Sequence, residues 1–465
     1  MIAKQDVLDR AAEWGLRPDV VEKDYVLGWL LAAISQHAEC GFKWVFKGGT
    51  CLKKCFFETY RFSEDLDFTL LPEAAYSSDA IRRSLAEVAA RAYELSGIQF
   101  RDATVKPRRN KQGQETFEGR VYYQGPLQMP NWPKVSFDLS QHEKVFPPFD
   151  RRPIYHAYPD GLPEQAVVQT YSFPELLGEK LRALLERTRP RDLYDVVFIV
   201  ENRRNEVDLK RTRELFMEKC RAKSITPPSS LGLIQLVRES GELRADWESM
   251  LAHQLPQLPP IDAVLSRLDG LFGWTVEEAA AVPPTVPLEV IPLRQGEVVQ
   301  APRGVAFWGT PTAGLEAIRF AGANRLLVEF DYTDKKGNLG RRLVEPYSLR
   351  RSSAGDLLLY TFDRHRSEVR SFTVSSIRNV SVTQQVFVPQ RVIELTSSGP
   401  IHAPAVERTP GYRPSKSSGG RSYVYACTVC GREFRHSEQN PSLRKHRTDQ
   451  GWDCSGRRGY FVRWE

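Results

Sequence analysis

No stretch of this 465-residue chain holds the roughly 18 consecutive apolar residues that a membrane-crossing helix needs. The opening Met1-Ile2-Ala3-Lys4-Gln5-Asp6 lacks the charged-then-apolar profile of a secretory leader, so a cytoplasmic place without a membrane partner is expected. Cysteine is scarce. Of seven residues, three (Cys427, Cys430, Cys454) gather near the end, which argues against a disulfide scaffold and for a metal site. No internal repeat is found. Most of the chain also lacks any excess of one charge. The net charge is +7, and residues 401–465, with twelve Lys/Arg against six Asp/Glu, carry +6 of it. A basic tail on a nearly neutral body points to a polyanionic partner at that end.

What is present is a 41% hydrophobic content, enough for real cores, on a length that suits about three domains. Residues 1–275 read as the first domain, mixed α/β over about 1–205. An apolar helix is expected from about Val20 to Ile34, with strands over Lys43–Lys47, Asp65–Leu70 and Lys134–Ser140. Ser172-Phe173-Pro174-Glu175 has the form of a capping box that opens a helix reaching about Arg187. Pro190 breaks that helix, a second begins near Arg191, and about 206–270 reads as amphipathic helix. Residues 276–308 read as an extended linker. Short alternating strands over 309–395 suggest a small barrel, 396–421 a flexible linker, and 422–465 a compact metal-stapled module.

The chemistry concentrates in Lys47-Gly48-Gly49-Thr50 and, after a short helix, Arg61-Phe62-Ser63-Glu64-Asp65-Leu66-Asp67. Carboxylates at i and i+2 of a strand share one face, so Asp65 and Asp67 can hold hard cations such as Mg²⁺ or Mn²⁺. A glycine turn lets backbone N–H groups approach phosphate, and Thr50 can add a hydroxyl. Asp138, flanked by apolar residues on its own strand, is the expected third acid. Metals, a phosphate cradle and alignment are what phosphoryl-type transfer requires. Cys51 and Cys55 read as core.

These residues resemble the nucleotidyltransferase pattern of a glycine turn, an acid-x-acid strand and a single-acid strand. With Glu22-Lys23-Asp24-Tyr25, Glu179-Lys180-Leu181-Arg182 and Arg191-Asp192-Leu193-Tyr194-Asp195, the chain is similar over roughly residues 15–270 to the AbiEii/AbiGii toxins. These are the toxin halves of abortive-infection, type IV toxin–antitoxin pairs. The resemblance implies an α/β (α+β) nucleotidyltransferase fold with a helical extension. It also implies an NTP substrate, an acceptor that includes the tRNA 3′ end, and a cognate antitoxin. Lys180, Asp192 and Asp195 are then catalytic, while Lys47, Gly48, Gly49, Thr50, Arg61, Ser63 and Arg187 contact nucleotide.

Downstream, the segments Leu326–Tyr332, Arg341–Leu349 and Arg370–Arg378 resemble a WYL domain, a small SH3/Sm-like barrel of bacterial regulators and defence proteins. The Trp-Tyr-Leu triplet is missing, and Leu357-Leu358-Leu359-Tyr360 stands near its place, which leaves the ligand open. Arg350, Arg364, Arg370 and Arg378 are the expected anion-sensing residues. In the tail, Cys427-x-x-Cys430, His446 and Cys454 supply four ligands for a structural Zn²⁺, with His436 as the alternative fourth. The tail resembles bacterial C2HC zinc fingers, which bind nucleic acid or protein. The leading expectation is a metal-dependent NMP transferase. The alternatives are an enzyme that nucleotidylates a protein, and a nucleic-acid-binding regulator whose N-terminal domain does no chemistry.

Overall fold

The computed structural model describes residues 1–110, 112–203, 206–273, 275, 288–299, 314–334, 337–395, 423–436, 440–448, 450 and 453–464. The chain divides into two compact units, 1–404 and 405–465.

The first unit begins with helices α1 (Lys4–Trp14) and α2 (Pro18–Gln36). Proline opens α2 in the first turn, where its missing N–H costs nothing, and from Tyr25 to Ile34 the helix is buried throughout and carries no charged side chain. An eight-stranded mixed sheet follows, one strand of which is the short Gln99–Phe100. Its central strands are β1 (Trp44–Lys47), β2 (Asp65–Leu70), β4 (Glu115–Gln124) and β5 (Lys134–Ser140), with β3 (Thr104–Arg109) on the outer edge of β4. β6 (Asp150–Pro153) and β7 (Val167–Thr170) extend the other side. β1 and β2 are antiparallel, β2 and β5 parallel, and β5 and β4 antiparallel.

Alternation fixes which face does what. Leu66, Phe68, Leu70, Val135, Phe137 and Leu139 are all buried, as are Phe117 and Val121. Helix α3 (Ser78–Ser96) covers that face, with Leu85 lying against Gly119 so closely that a Cβ there would sit 2.6 Å from it. Each such side chain contributes about 1.5–3 kcal/mol by leaving water. A register slip of one residue would put the acids of β2 and β5 into this core, so the apolar pattern also fixes where the acids point.

Helices α4 (Phe173–Arg187), α5 (Pro190–Arg203) and α6 (Leu209–Ala222) pack as a bundle beside the sheet. Gly178 lets α4 approach the α6 backbone, where a Cβ would meet Phe216 N at 3.1 Å. The start of α4 differs from the capping-box expectation, because the Ser172 side chain makes no capping bond. Glu175 is buried against Lys219 of α6 at 2.9 Å instead, a partner that local pattern does not reveal.

Helix α7 (Leu315–Asn324) then leads into an antiparallel sheet of β8 (Leu326–Thr333), β9 (Leu339–Arg351), β10 (Leu357–Asp363), β11 (Glu368–Thr373) and β12 (Ile377–Val386). The spatial order is β11-β10-β9-β8-β12. Part of the expected 276–308 linker belongs here. Val298–Val299 pairs with the end of β9, and Ile291 is buried with Leu327, Tyr347, Tyr360 and Phe387. Residues 276–287 and 300–308 of that linker, like all of 396–421, lie outside the described residues. The second unit shows a three-stranded sheet, Glu433–His436, Tyr423–Cys427 and Gly459–Trp464. Among the described residues no helix is long and apolar enough to cross a membrane.

Candidate active site

Strand register builds the site. Lys47 of β1 lies opposite Asp67 of β2, Asp67 opposite Asp138 of β5, and Asp138 opposite Glu118 of β4. Asp65 stands one step along β2 on the same face. Three acids on adjacent strands therefore share the face away from α3.

Their electrostatics are those of a cluster only partly compensated by nearby cations. Crowding by protein and the Asp138 charge, helped by Asp65, push the Asp67 carboxyl up to about 6, against the pull of Lys47 and Lys180. Both side chains keep solvent-exposed surface, yet desolvation by the surrounding protein together with Glu143 and Asp65 raises Asp138, and desolvation with Glu64 raises Asp65. Carboxylate oxygens that repel one another are the donor set a hard divalent cation satisfies, so the three acids fit such an ion.

The glycine turn is shaped around them. Gly48 has φ +83°, and a Cβ there would lie 2.1 Å from Asp67 Oδ2, so only glycine fits on both counts. A Cβ on Gly49 would meet Arg61 Nη2 at 2.5 Å and Ser63 Oγ at 3.0 Å, which places Ser63 beside the turn. Thr50 is fully buried and donates its hydroxyl to the Asp65 carbonyl at 2.5 Å. It braces the acid strand from behind, which differs from the expected phosphate contact. Lys47 reaches Glu143, a residue sequence reading missed, and Glu143 with Glu179 and Asp67 keeps the lysine charged despite its burial.

A second cluster joins α4, α5 and the loop before β2. Lys180 Nζ lies 2.7 Å from Asp195 Oδ2 and 3.2 Å from Asp192 Oδ1. Arg187 grips Asp192 through Nε at 2.7 Å and Nη2 at 3.0 Å while its side chain stays 44% exposed. Arg61 is buried and takes Asp195 in a two-pronged grip, Nε to Oδ1 at 2.6 Å and Nη2 to Oδ2 at 2.7 Å. Its Nη1 donates to Gln254 Oε1 at 2.9 Å, and Tyr60 also donates to Asp195. Burial works against these charges, yet Arg61 and Lys180 hold Asp195 well below the usual carboxylate range. Arg61 thus differs from the expected nucleotide contact. Its fork is spent on Asp195, and the signal for that lies 134 residues away.

The arginines expected to sense an anion are each engaged. Arg350 is fully buried and donates to the Pro292 carbonyl at 2.7 Å, the Ile291 carbonyl and Glu394, so it ties residues 291–292 to β9. Its depth sets it apart from a surface anion pocket. Arg364 pairs with Glu345 at 2.7 Å, Arg370 lies near Asp363 and Glu368, and Arg378 donates to the Ser375 and Ile377 carbonyls.

In the second unit, Cys427, Cys430, His446 and Cys454 bring four ligand atoms within 4.8 Å of one another. Cys427 and Cys454 sulfurs are 3.8 Å apart, and Cys430 Sγ is 3.3 Å from His446 Nε2. Tetrahedral zinc with Zn–S of about 2.3 Å requires an S–S edge of about 3.8 Å, so the cluster is compatible with zinc. His446 Nδ1 bonds the Arg444 carbonyl at 2.9 Å, which presents Nε2 to the cluster. The gathered set includes His446, and His436 lies on the Glu433–His436 strand outside it.

The fold and the acid register are in keeping with a nucleotidyltransferase, and the family comparison shows the class. The family model for the AbiEii nucleotidyltransferase toxin of type IV toxin–antitoxin systems matches residues 29–281, more than half of the chain, and the chain belongs to that family. A WYL domain model matches residues 313–382. Among solved structures, the chain is similar to MenT4, a nucleotidyltransferase toxin of Mycobacterium tuberculosis H37Rv, at 20% identity and TM-score 0.39, covering 61% of this chain and 92% of that one. It also matches the proteasome accessory factor B/C of Arthrobacter aurescens at 16% identity and TM-score 0.16, covering 55% and 36%. No curated protein matches.

Proposed function

We propose that this nucleotidyltransferase toxin moves a nucleoside monophosphate from an NTP to a nucleic-acid acceptor, the 3′ end of tRNA being the first candidate. The observation that carries the reading is the row Lys47–Asp67–Asp138, in register across three strands beside Asp65 and the Gly48 turn. Asp65, Asp67 and Asp138 would hold Mg²⁺ or Mn²⁺. Such ions supply charge neutralisation on the triphosphate and activation of the attacking hydroxyl. The acceptor oxygen forms a bond to the α-phosphorus, the bond from that phosphorus to the β-phosphate oxygen breaks, and pyrophosphate leaves. Lys47 and the exposed part of Arg187 would meet phosphate. Lys180, held between Asp192 and Asp195, keeps a charge beside Asp67.

The outcome for the cell would be growth arrest, relieved by a cognate antitoxin and directed at phage infection. The zinc-compatible module, with the basic excess of residues 401–465, supports an added grip on nucleic acid. Domain limits near 275, 309–395 and 422 belong to the same reading. Incubation of the purified chain with each labelled NTP, Mg²⁺, total tRNA and carrier protein tests it. Label in tRNA is expected. Label in protein alone would make this a protein-modifying enzyme. Label in neither would leave a binding protein.

A further inference from the structure

A cavity of about 340 Å³ lies where α7 meets the transferase domain, away from the row of acids. That size suits a small organic ligand. Trp14, Tyr60 and Phe62 wall it from one side, Ala317 and Phe320 of α7 from the other. Besides the ring nitrogens of His156, two polar groups lining it are short of partners. Asp24 is buried and its Oδ2 takes Lys54 at 2.6 Å and Tyr158 at 3.0 Å, but its buried Oδ1 accepts no hydrogen bond among the described residues. The Lys53 ammonium donates to the Glu58 carbonyl, an uncharged partner, and sits 4.7 Å from the Phe62 ring centre and 5.7 Å from that of Trp14. The other cations lining the cavity already have carboxylates. Lys54 has Asp24, Arg319 has Glu316 at 2.7 Å, and Arg10 has Glu13 at 2.6 Å.

The chemistry that satisfies these walls is specific. Aromatic faces favour a flat ring. An ammonium without a carboxylate favours one negative charge. Burial pushes the Lys53 ammonium down to about 8, and a bound anion would restore its charge.

The cavity also touches the machinery of the candidate site. Tyr60 lines it and donates to Asp195, the next residue Arg61 grips Asp195, and Asp195 holds Lys180. On the far wall α7 meets the same segment, with Thr59 donating to Glu316 at 3.3 Å and Arg319 lying 3.5 Å from Glu58. Its Asn324 accepts from Tyr194 at 2.8 Å, between Asp192 and Asp195 on α5. A molecule seated here can favour one placement of α7 over another and bias the Arg61–Asp195–Lys180 cluster.

We propose that this cavity is a regulatory site for a small aromatic monoanion. The binding claim stands apart from the transferase reading, and only the regulatory claim rests on it.

The test titrates the full chain, without NTP, with 3′,5′-cyclic adenosine monophosphate and with anthranilate, two monoanions that each carry a flat aromatic ring. Neutral adenosine and aniline are the controls. At least one anion is expected to bind, about tenfold tighter than its neutral control. Lys53→Met, which keeps the aliphatic stem, should erase that preference. Ala317→Phe, which fills the cavity from α7, should abolish binding without lowering the melting temperature. Binding of neither anion, or binding that both variants leave intact, overturns the site. Labelled-nucleotide transfer is then followed with and without the bound anion, and a changed rate in wild type but not in Ala317→Phe is expected. An unchanged wild-type rate overturns the regulatory claim. If no protein transfers label at all, the transferase reading fails while the titration still decides the site.

Discussion

Replacing Asp67 by asparagine should stabilise the metal-free protein while ending its chemistry. Asp67 sits opposite Asp138 and beside Asp65, and its carboxyl is pushed from an ordinary 3.8 up to about 6. A group that holds its proton more tightly when folded costs stability once it must ionise. At about 1.4 kcal/mol for each tenfold change in proton affinity, the ionised carboxylate costs up to about 3 kcal/mol at pH 7.5. The sign is fixed by linkage. The folded state takes up a proton as pH falls from about 6 toward about 4, so wild type recovers this stability there and loses it on the way back up. Asparagine has the same shape, keeps clear of Gly48 as the acid does, and carries no charge. In EDTA at pH 7.5 the variant should therefore melt higher, by about 5–10 °C for a domain of this size, and the gap should close toward pH 4. Mg²⁺ should raise the melting temperature of wild type and leave the variant nearly unmoved. Calorimetry across pH, with and without Mg²⁺, measures all of this. A variant that melts at or below wild type in EDTA at pH 7.5 would refute the repulsion argument, and retained transfer would refute the role.

Arg61→Lys should lose transfer and about 3–5 kcal/mol of stability in urea unfolding, because a point charge cannot replace the fork on buried Asp195; near-wild-type unfolding would show the grip to be dispensable. Lys180→Ala should relieve growth arrest on overexpression at matched soluble protein levels, and an equally toxic variant counts against a role at phosphate. Metal analysis should find one zinc per chain, falling to none in Cys430→Ser, and zinc-free wild type would remove that assignment. Deleting residues 422–465 should flatten the salt dependence of RNA binding by a log–log slope of about 0.7–0.9 for each phosphate no longer neutralised, with transfer retained; an identical slope would point to a protein partner for the module.

The parts of the site legible in sequence are those whose cause is local. The Asp65–Asp67 pair, the Gly48 turn and the strand around Asp138 announce themselves by alternation and spacing, and the register then places them together. The Cys-x-x-Cys pair with His446 and Cys454 is local in the same sense. What was not legible depends on partners far along the chain. Arg61 and Thr50 look like substrate contacts until Asp195 and the Asp65 carbonyl claim them. Glu175 imitates a capping residue until α6 presents Lys219. Arg350 looks like a surface cation until residues 291–292 wrap over it. Charged side chains with several possible partners are where spacing alone decides least.

The seating of α7 bears on how such proteins can be recombined. Asn324 takes the Tyr194 hydroxyl, while Arg325 donates to the Glu201 carbonyl at 2.8 Å and to Asn202 at 2.9 Å. The helix that opens the WYL-like part thus completes the outer surface of the helix carrying Asp192 and Asp195. A chimera that exchanges the downstream sheet should be joined after Arg325, not before Leu315. Cut upstream, the transferase would leave the hydroxyl of Tyr194 and the carbonyl of Glu201 without these partners, next to residues its chemistry depends on. Inheritance of the two parts is then coupled at a ten-residue helix, and tolerated crossovers between relatives should cluster on its far side.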